Sequence, residues 1–208
     1  NYYGMMSAKR MESLVSGYKN VIIDNCQAFF AKPLKGCMNV YSCRKFIGVP
    51  DGAYVIGKDA EVHMDEYGQC YSSDTAVFML QRVEYGCEGK AYQSRQLNEH
   101  RIDTEDIMRM SKLTKAILDG TDYELIQRKR IENFHIAREL FDKINCLDVC
   151  QYCDRETVPM VYPLVVEEDN LLNRLQKAKH FQGHWWSYLL DEVDENYFEY
   201  WISRFFIP

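Results

Sequence analysis

The reading of this chain turns on residues 21–58, VIIDNCQAFFAKPLKGCMNVYSCRKFIGVPDGAYVIGK. The stretch opens on Val21-Ile22-Ile23, an apolar β-branched run that stops at a carboxylate, Asp24. Such a run predicts a short buried strand. Asn39-Val40-Tyr41-Ser42 predicts a second strand, and Cys43-Arg44-Lys45 follows it directly. Val49-Pro50-Asp51-Gly52 has turn chemistry, with glycine supplying the unusual backbone angle. Ala53-Tyr54-Val55-Ile56 then returns, so a third strand is expected antiparallel to its neighbour. An acid closing one strand and a lysine just past the next is how an α/β sheet presents a site, because ligands settle outside the carboxyl ends of its strands.

Upstream, Asn1-Tyr2-Tyr3-Gly4 reads as the end of a strand turning into a helix. Residues 7–18 carry Met11, Leu14 and Val15 at helical spacing, and Gly17 and Asn20 break the helix. Strand, helix and strand in this order predict a parallel pair with a right-handed crossover.

Downstream of Ser72 the pattern becomes helical. Ser73 or Asp74 is placed to cap a helix whose face is Val77, Leu80 and Val83 and whose end is Gly86. Residues 87–102 are polar and uneven and read as a loop with at most one helical piece. Thr104 is expected to cap a helix carrying Ile107, Met110, Leu113 and Ile117 as far as Gly120. Thr121-Asp122-Tyr123-Glu124 fits a capping box ahead of a helix reaching about Asn145. Residues 158–166 are β-rich but hold Pro159 and Pro163, so they predict an edge strand. Leu171 to Phe181 predicts an amphipathic helix, and Tyr188 to Phe205 a last helix leading into a strand.

Composition narrows the function classes. A net charge of −6 over 208 residues argues against a nucleic-acid partner, since phosphate binding needs a basic face. No apolar run approaches the roughly 18 residues of a membrane helix, and a leader of the signal-peptide type is not expected. The eight cysteines are scattered without a disulfide framework, which suggests reduced thiols and a cytoplasmic protein. Trp185, Trp186, Tyr188, Tyr197, Tyr200 and Trp201 are expected in a core or subunit interface, given the acidic charge. The chain starts without Met and stops on Phe205-Phe206-Ile207-Pro208, so a fragment of a longer protein is expected.

The residues of the opening stretch match the demands of pyridoxal 5'-phosphate. That cofactor takes a lysine covalently, an acid at its pyridine nitrogen, and hydroxyls or amides at its phosphate. Lys45, Asp24 and Ser42 supply one of each. Taken singly, Asp24 also fits a turn residue or cap, and Arg44-Lys45 a solvated basic pair. Two other patterns offer different chemistry. Ser-x-x-Lys also marks serine β-lactamases and penicillin-binding proteins, but Ser73-Asp74-Thr75 only half matches their second motif and Lys-Thr-Gly is missing. Cys150-x-x-Cys153, with Cys146 nearby and His180 and His184 further on, lacks a convincing second ligand pair; free thiols and no metal site are expected.

Five segments carry a resemblance. Asp24-Asn25-Cys26-Gln27-Ala28 resembles the Asp-x-x-Gln-Ala box of nucleotide-sugar aminotransferases of the DegT/StrS type. Ser42-Cys43-Arg44-Lys45-Phe46-x-Gly48 is similar to the lysine box of fold-type-I aminotransferases. Asp51-Gly52-Ala53-Tyr54 stands where the sugar enzymes have an acid-Gly-Gly turn. Arg109-Met110-Ser111 and Arg130-x-x-Asn133-Phe134 resemble later segments of that family. The resemblance implies pyridoxal 5'-phosphate as cofactor. Asp24 would lie at the pyridine nitrogen, Gln27 at the ring or its hydroxyl, Ser42 at the phosphate, and Lys45 would be the catalytic and cofactor-bearing lysine. Two departures stand out: Ser42 and Lys45 lie closer together than is usual in the sugar enzymes, and Ile107 replaces an asparagine that reaches the neighbouring subunit's phosphate. The resemblance also implies a homodimer acting on a small-molecule amino donor and a carbonyl acceptor such as a keto-sugar. The expected fold class is α/β: residues 1–118 are the later part of a large, mostly parallel cofactor domain with flanking helices, and 119–208 a small C-terminal α+β domain. A scaffold or binding protein that keeps this fold without turnover is the alternative.

Overall fold

The computed structural model describes residues 1–58, 60–61, 63–154 and 156–208, with backbone alone at Cys150. The protein is mixed α/β, with a three-stranded sheet and a two-stranded sheet among its helices. The chain divides into two compact units, Asn1–Gln127 with Glu156–Met160, and Arg128–Arg155 with Val161–Pro208.

In the first unit, β1 (Ile22–Asp24), β2 (Met38–Ser42) and β3 (Ala53–Ile56) lie in that order. β1 and β2 are parallel, pairing Ile22 with Met38 and Asp24 with Val40. β2 and β3 are antiparallel, pairing Ser42 with Ala53, as the return through Pro50-Asp51-Gly52 predicts. The parallel pair is therefore β1 with β2. Asn1–Gly4 is no strand: Tyr2–Gly4 form a 3-10 turn with Tyr3 in the left-handed region. β1 is also less buried than its sequence predicts. As an edge strand it turns only Ile23 inward and leaves Ile22 70% exposed. The connection to β2 is held by the buried Asn39 side chain. Its Nδ2 donates to the carbonyls of Leu34, Cys37 and Ile56, and its Oδ1 accepts from the Leu34 amide.

α1 (Ala8–Val15) starts at Ser7, whose hydroxyl accepts from the Arg10 amide at 3.3 Å, and buries Met11. α2 (Val77–Tyr85) ends at Gly86 as expected, but its predicted face is the wet one. Val77, Leu80 and Val83 are exposed and Phe78 is buried. The predicted loop at 87–102 is a helix, α3 (Gly89–Thr104). The next helix, α4 (Lys112–Asp119), begins later than expected. Its cap is Ser111, because the Thr104 hydroxyl donates backward to the His100 carbonyl at the end of α3. α5 (Tyr123–Phe141) is capped by Asp122, whose carboxylate accepts from the Leu125 amide at 2.9 Å, while Thr121 donates to the Ile117 carbonyl.

The core of this unit gathers Cys43, Phe46, Ile47 and Val49, from the loop after β2, around Leu118 of α4. Phe29 and Phe30 press on Phe46, with ring centroids 5.8 and 5.7 Å away. Removing these side chains from water, at roughly 25 cal/mol per Å² of apolar surface, helps hold the loop against α4.

In the second unit, β4 (Leu164–Val165) pairs antiparallel with β5 (Phe206–Ile207). The edge strand expected over 158–166 shrinks to β4, since Pro159 and Pro163 lack the N–H a ladder needs. The predicted helix ending at Phe181 stops earlier, as α6 (Leu171–Lys177). The single helix expected over 188–205 is two, α7 (Leu189–Glu192) and α8 (Phe198–Phe205). Asn145 ties α5's exit to β4: its Nδ2 donates to the Pro163 carbonyl and its Oδ1 accepts from the Val165 amide. Trp185 and Trp186 lie against Phe206, whereas Tyr188 and Tyr197 are exposed.

Candidate active site

Because β1 and β2 are parallel and in register, their carboxyl ends open on one edge of the sheet. Asp24 closes β1 there. β2 runs on from Val40, the partner of Asp24, to Ser42, and the chain then turns through Lys45. The Asp24 carboxylate accepts from the Cys26 amide at 2.8 Å in an Asx-type turn. A side-chain hydrogen bond and the amide of Cys26 together hold the Asp24 carboxyl below its ordinary range. Partial burial opposes them, and the charges of the Asn1 ammonium and Lys45 add to the effect. The Cys26 thiol is pushed up to about 11 by burial first and then by the bond to, and charge of, Asp24; Lys45 pulls the other way. Asp24, Cys26 and Lys45 thus form one electrostatic cluster.

Lys45 sits on a helical turn in which the Phe46 and Ile47 amides donate to the Cys43 carbonyl at 3.1 and 2.9 Å. Phe46 and Ile47 go into the core and Lys45 faces solvent. The basic pair of the sequence is split: Arg44 Nη1 meets Glu99 of α3 at 2.7 Å, and Lys45 alone points outward. Ser42 is half-buried at the last pairing position of β2. Gln27, on the turn after β1, uses its side-chain carbonyl to accept from the Tyr3 amide at 3.2 Å.

The residue that sequence reading undervalued is Asp51. It is 6% exposed, and its carboxylate accepts from the Ser72 hydroxyl, the Ser111 amide, the Ser111 hydroxyl and the Thr114 hydroxyl, at 2.5, 2.8, 2.7 and 2.9 Å. Burial works against its charge, but these donors outweigh burial and its carboxyl lies below the ordinary value. In a Pro-Asp-Gly turn an aspartate reads as a turn former. The signal available was Ser111-x-x-Thr114, hydroxyls that a helix start aims at one point.

Pyridoxal phosphate needs an ionised carboxylate, an accessible amine and a hydroxyl. Asp24 and Lys45 are exposed, the first at the end of β1 and the second on the turn after β2, and the half-buried Ser42 ends β2, so the residues match that group in kind. Among the described residues no cluster of three or more His, Cys, Asp or Glu is arranged to hold a metal ion. The Cys150 side chain lies outside the described residues, and His184 Nε2 is hydrogen-bonded to the Ser203 carbonyl at 2.8 Å. Among the described residues no helix is long and apolar enough to cross a membrane. No family model matches the chain, and no curated protein or solved structure is significantly similar to it.

Proposed function

We propose that this chain carries the lysine-bearing half of a pyridoxal 5'-phosphate site and belongs to an aminotransferase. Its first unit would be part of a fold-type-I cofactor domain, and its mode of action that of a homodimer transferring an amino group from a small donor to a small carbonyl acceptor. One observation carries the reading: Asp24 ends β1, and Lys45 lies on the turn that leaves the parallel neighbour β2 at the same edge, where its charge adds to the Cys26 hydrogen bonds that hold the Asp24 carboxyl low.

The roles follow from the residues. Lys45 Nζ would hold the cofactor covalently and, once a substrate amine has displaced it, would be the free base that takes and returns the proton at the substrate's Cα. Asp24, kept ionised by the side-chain bond and the amide of Cys26, would hold a proton at the pyridine nitrogen. The Ser42 hydroxyl would donate to the phosphate. The bound group supplies an electron sink for the carbanion formed at Cα. Gln27, tied to the Tyr3 amide, braces the segment after Asp24.

Incubation with pyridoxal phosphate, borohydride reduction and peptide mapping test this. The expected result is one modified lysine, Lys45, and none in Lys45→Ala. Random modification of surface lysines, unchanged in Lys45→Ala, contradicts it.

A further inference from the structure

We infer that the buried Asp51 cluster is the device that positions Lys45, acting through the loop between β2 and β3; the inference rests on the reading of Lys45 as the reactive amine. Most of the loop is buried or bonded, and Lys45 is one of its two exposed positions. The Cys43 amide donates to the Gly52 carbonyl at 3.2 Å, which closes the base of the loop next to Asp51. The Pro50 carbonyl accepts from Asn98 Nδ2 at 2.8 Å, and Arg44 pairs with Glu99, so α3 grips the loop from both arms. Asp51 then locks the base to Ser72 and to the start of α4 through Ser111 and Thr114.

Glycine is required beside this lock. Gly52 has φ +102°, and a Cβ there would meet Thr114 Cγ2 at 2.8 Å. Cys43, Phe46, Ile47, Val49, Pro50 and Asp51 are all buried, and Lys45 and Gly48 are the exposed loop positions. A long, flexible side chain therefore projects from a backbone with little freedom to move. The Asp51 carboxylate touches neither substrate nor cofactor in this account. It is a positioning residue, and its donors are the adjustable part of the lock.

The test compares Thr114→Val, which removes one donor at constant shape, with Thr114→Ser, which keeps it. Each protein is incubated with pyridoxal phosphate well below its melting transition, and the rate of borohydride-trapped modification at Lys45 is taken relative to the summed rate at the other lysines. Positioning predicts that Thr114→Val lowers this ratio about tenfold, short of the ~100-fold that a full ångström of misplacement costs, and that Thr114→Ser restores it. A merely structural role lowers the melting temperature of Thr114→Val and leaves the ratio unchanged; that result overturns the inference. Asp51→Asn, if it folds, must lie below Thr114→Val. If the unmodified sequence shows no preference for Lys45, the reading of the lysine itself falls, and the inference with it, which is a different outcome from an unchanged ratio.

Discussion

Ser111 gives both its backbone amide and its hydroxyl to Asp51, at 2.8 and 2.7 Å, across 60 positions of sequence. The same hydroxyl accepts from the Thr114 amide at 3.1 Å, so it caps α4 while anchoring the turn before β3. One side chain thus joins a helix start to a strand start, and breaking the joint affects both.

Asp51→Ala leaves the Ser72, Ser111 and Thr114 donors facing a cavity. Stranded buried donors cost about 1–3 kcal/mol each before relaxation, and hydroxyls can turn elsewhere, so a total loss of about 2–4 kcal/mol is expected in urea unfolding. A loss below about 0.5 kcal/mol contradicts the joint.

The same carboxylate sets an acid limb. Its folded-state value lies below the ordinary one, so the stability it contributes is present above the ordinary carboxylate range, about pH 3.9, and is lost as pH falls through the lower folded value. Asp51→Asn should therefore be less stable than the parent at neutral pH, with a gap that narrows as pH drops below about 4. Urea titrations of both proteins from pH 7 downward measure it. A constant gap would show that the charge of Asp51 is not what its neighbours hold.

These features divide the chain by how well its sequence speaks. Strands β2 and β3 and their turn are legible because their β-branched and aromatic residues and Pro-Asp-Gly are local signals. α3 is not: its buried residues are Ala91 and Asn98, so no apolar stripe marks it, and polar bonds to the loop after β2 hold it in place. α2 misleads for the opposite reason, since Val77, Leu80 and Val83 are regularly spaced yet wet. At the candidate site, Asp24 is legible as a strand end and Lys45 as a residue just past one. Asp51 is not, because its donors at Ser72, Ser111 and Thr114 are distant in sequence and no single-residue signal ties them together.

The cluster at the sheet edge has its own probe in Cys26. Its thiol is held at about 11, with Asp24 among the causes and Lys45 opposing. Since the thiolate is the species that reacts, Asp24→Asn should speed Cys26 alkylation, by up to roughly tenfold for each pH unit its midpoint falls. Lys45→Met should slow it. Iodoacetamide rates followed by peptide mapping decide. Rates at Cys26 equal in all three proteins would separate the side chains this account groups together.

Asp24 shapes the turn after β1, and under the proposed function it also serves a cofactor at Lys45. Asparagine is the informative replacement, because its side-chain oxygen still accepts from the Cys26 amide while its charge is gone. The paired measurement is the melting temperature of Asp24→Asn and its single-turnover rate of amino transfer from an amino-acid donor, both against the parent loaded with pyridoxal phosphate. A preorganised charge at such a site is typically worth about 100- to 1,000-fold in rate. A loss of that order is expected, with a stability change of about 1 kcal/mol or less, the size of a lost cap. A protein that melts lower and transfers amino groups at the parental rate would contradict the cofactor role.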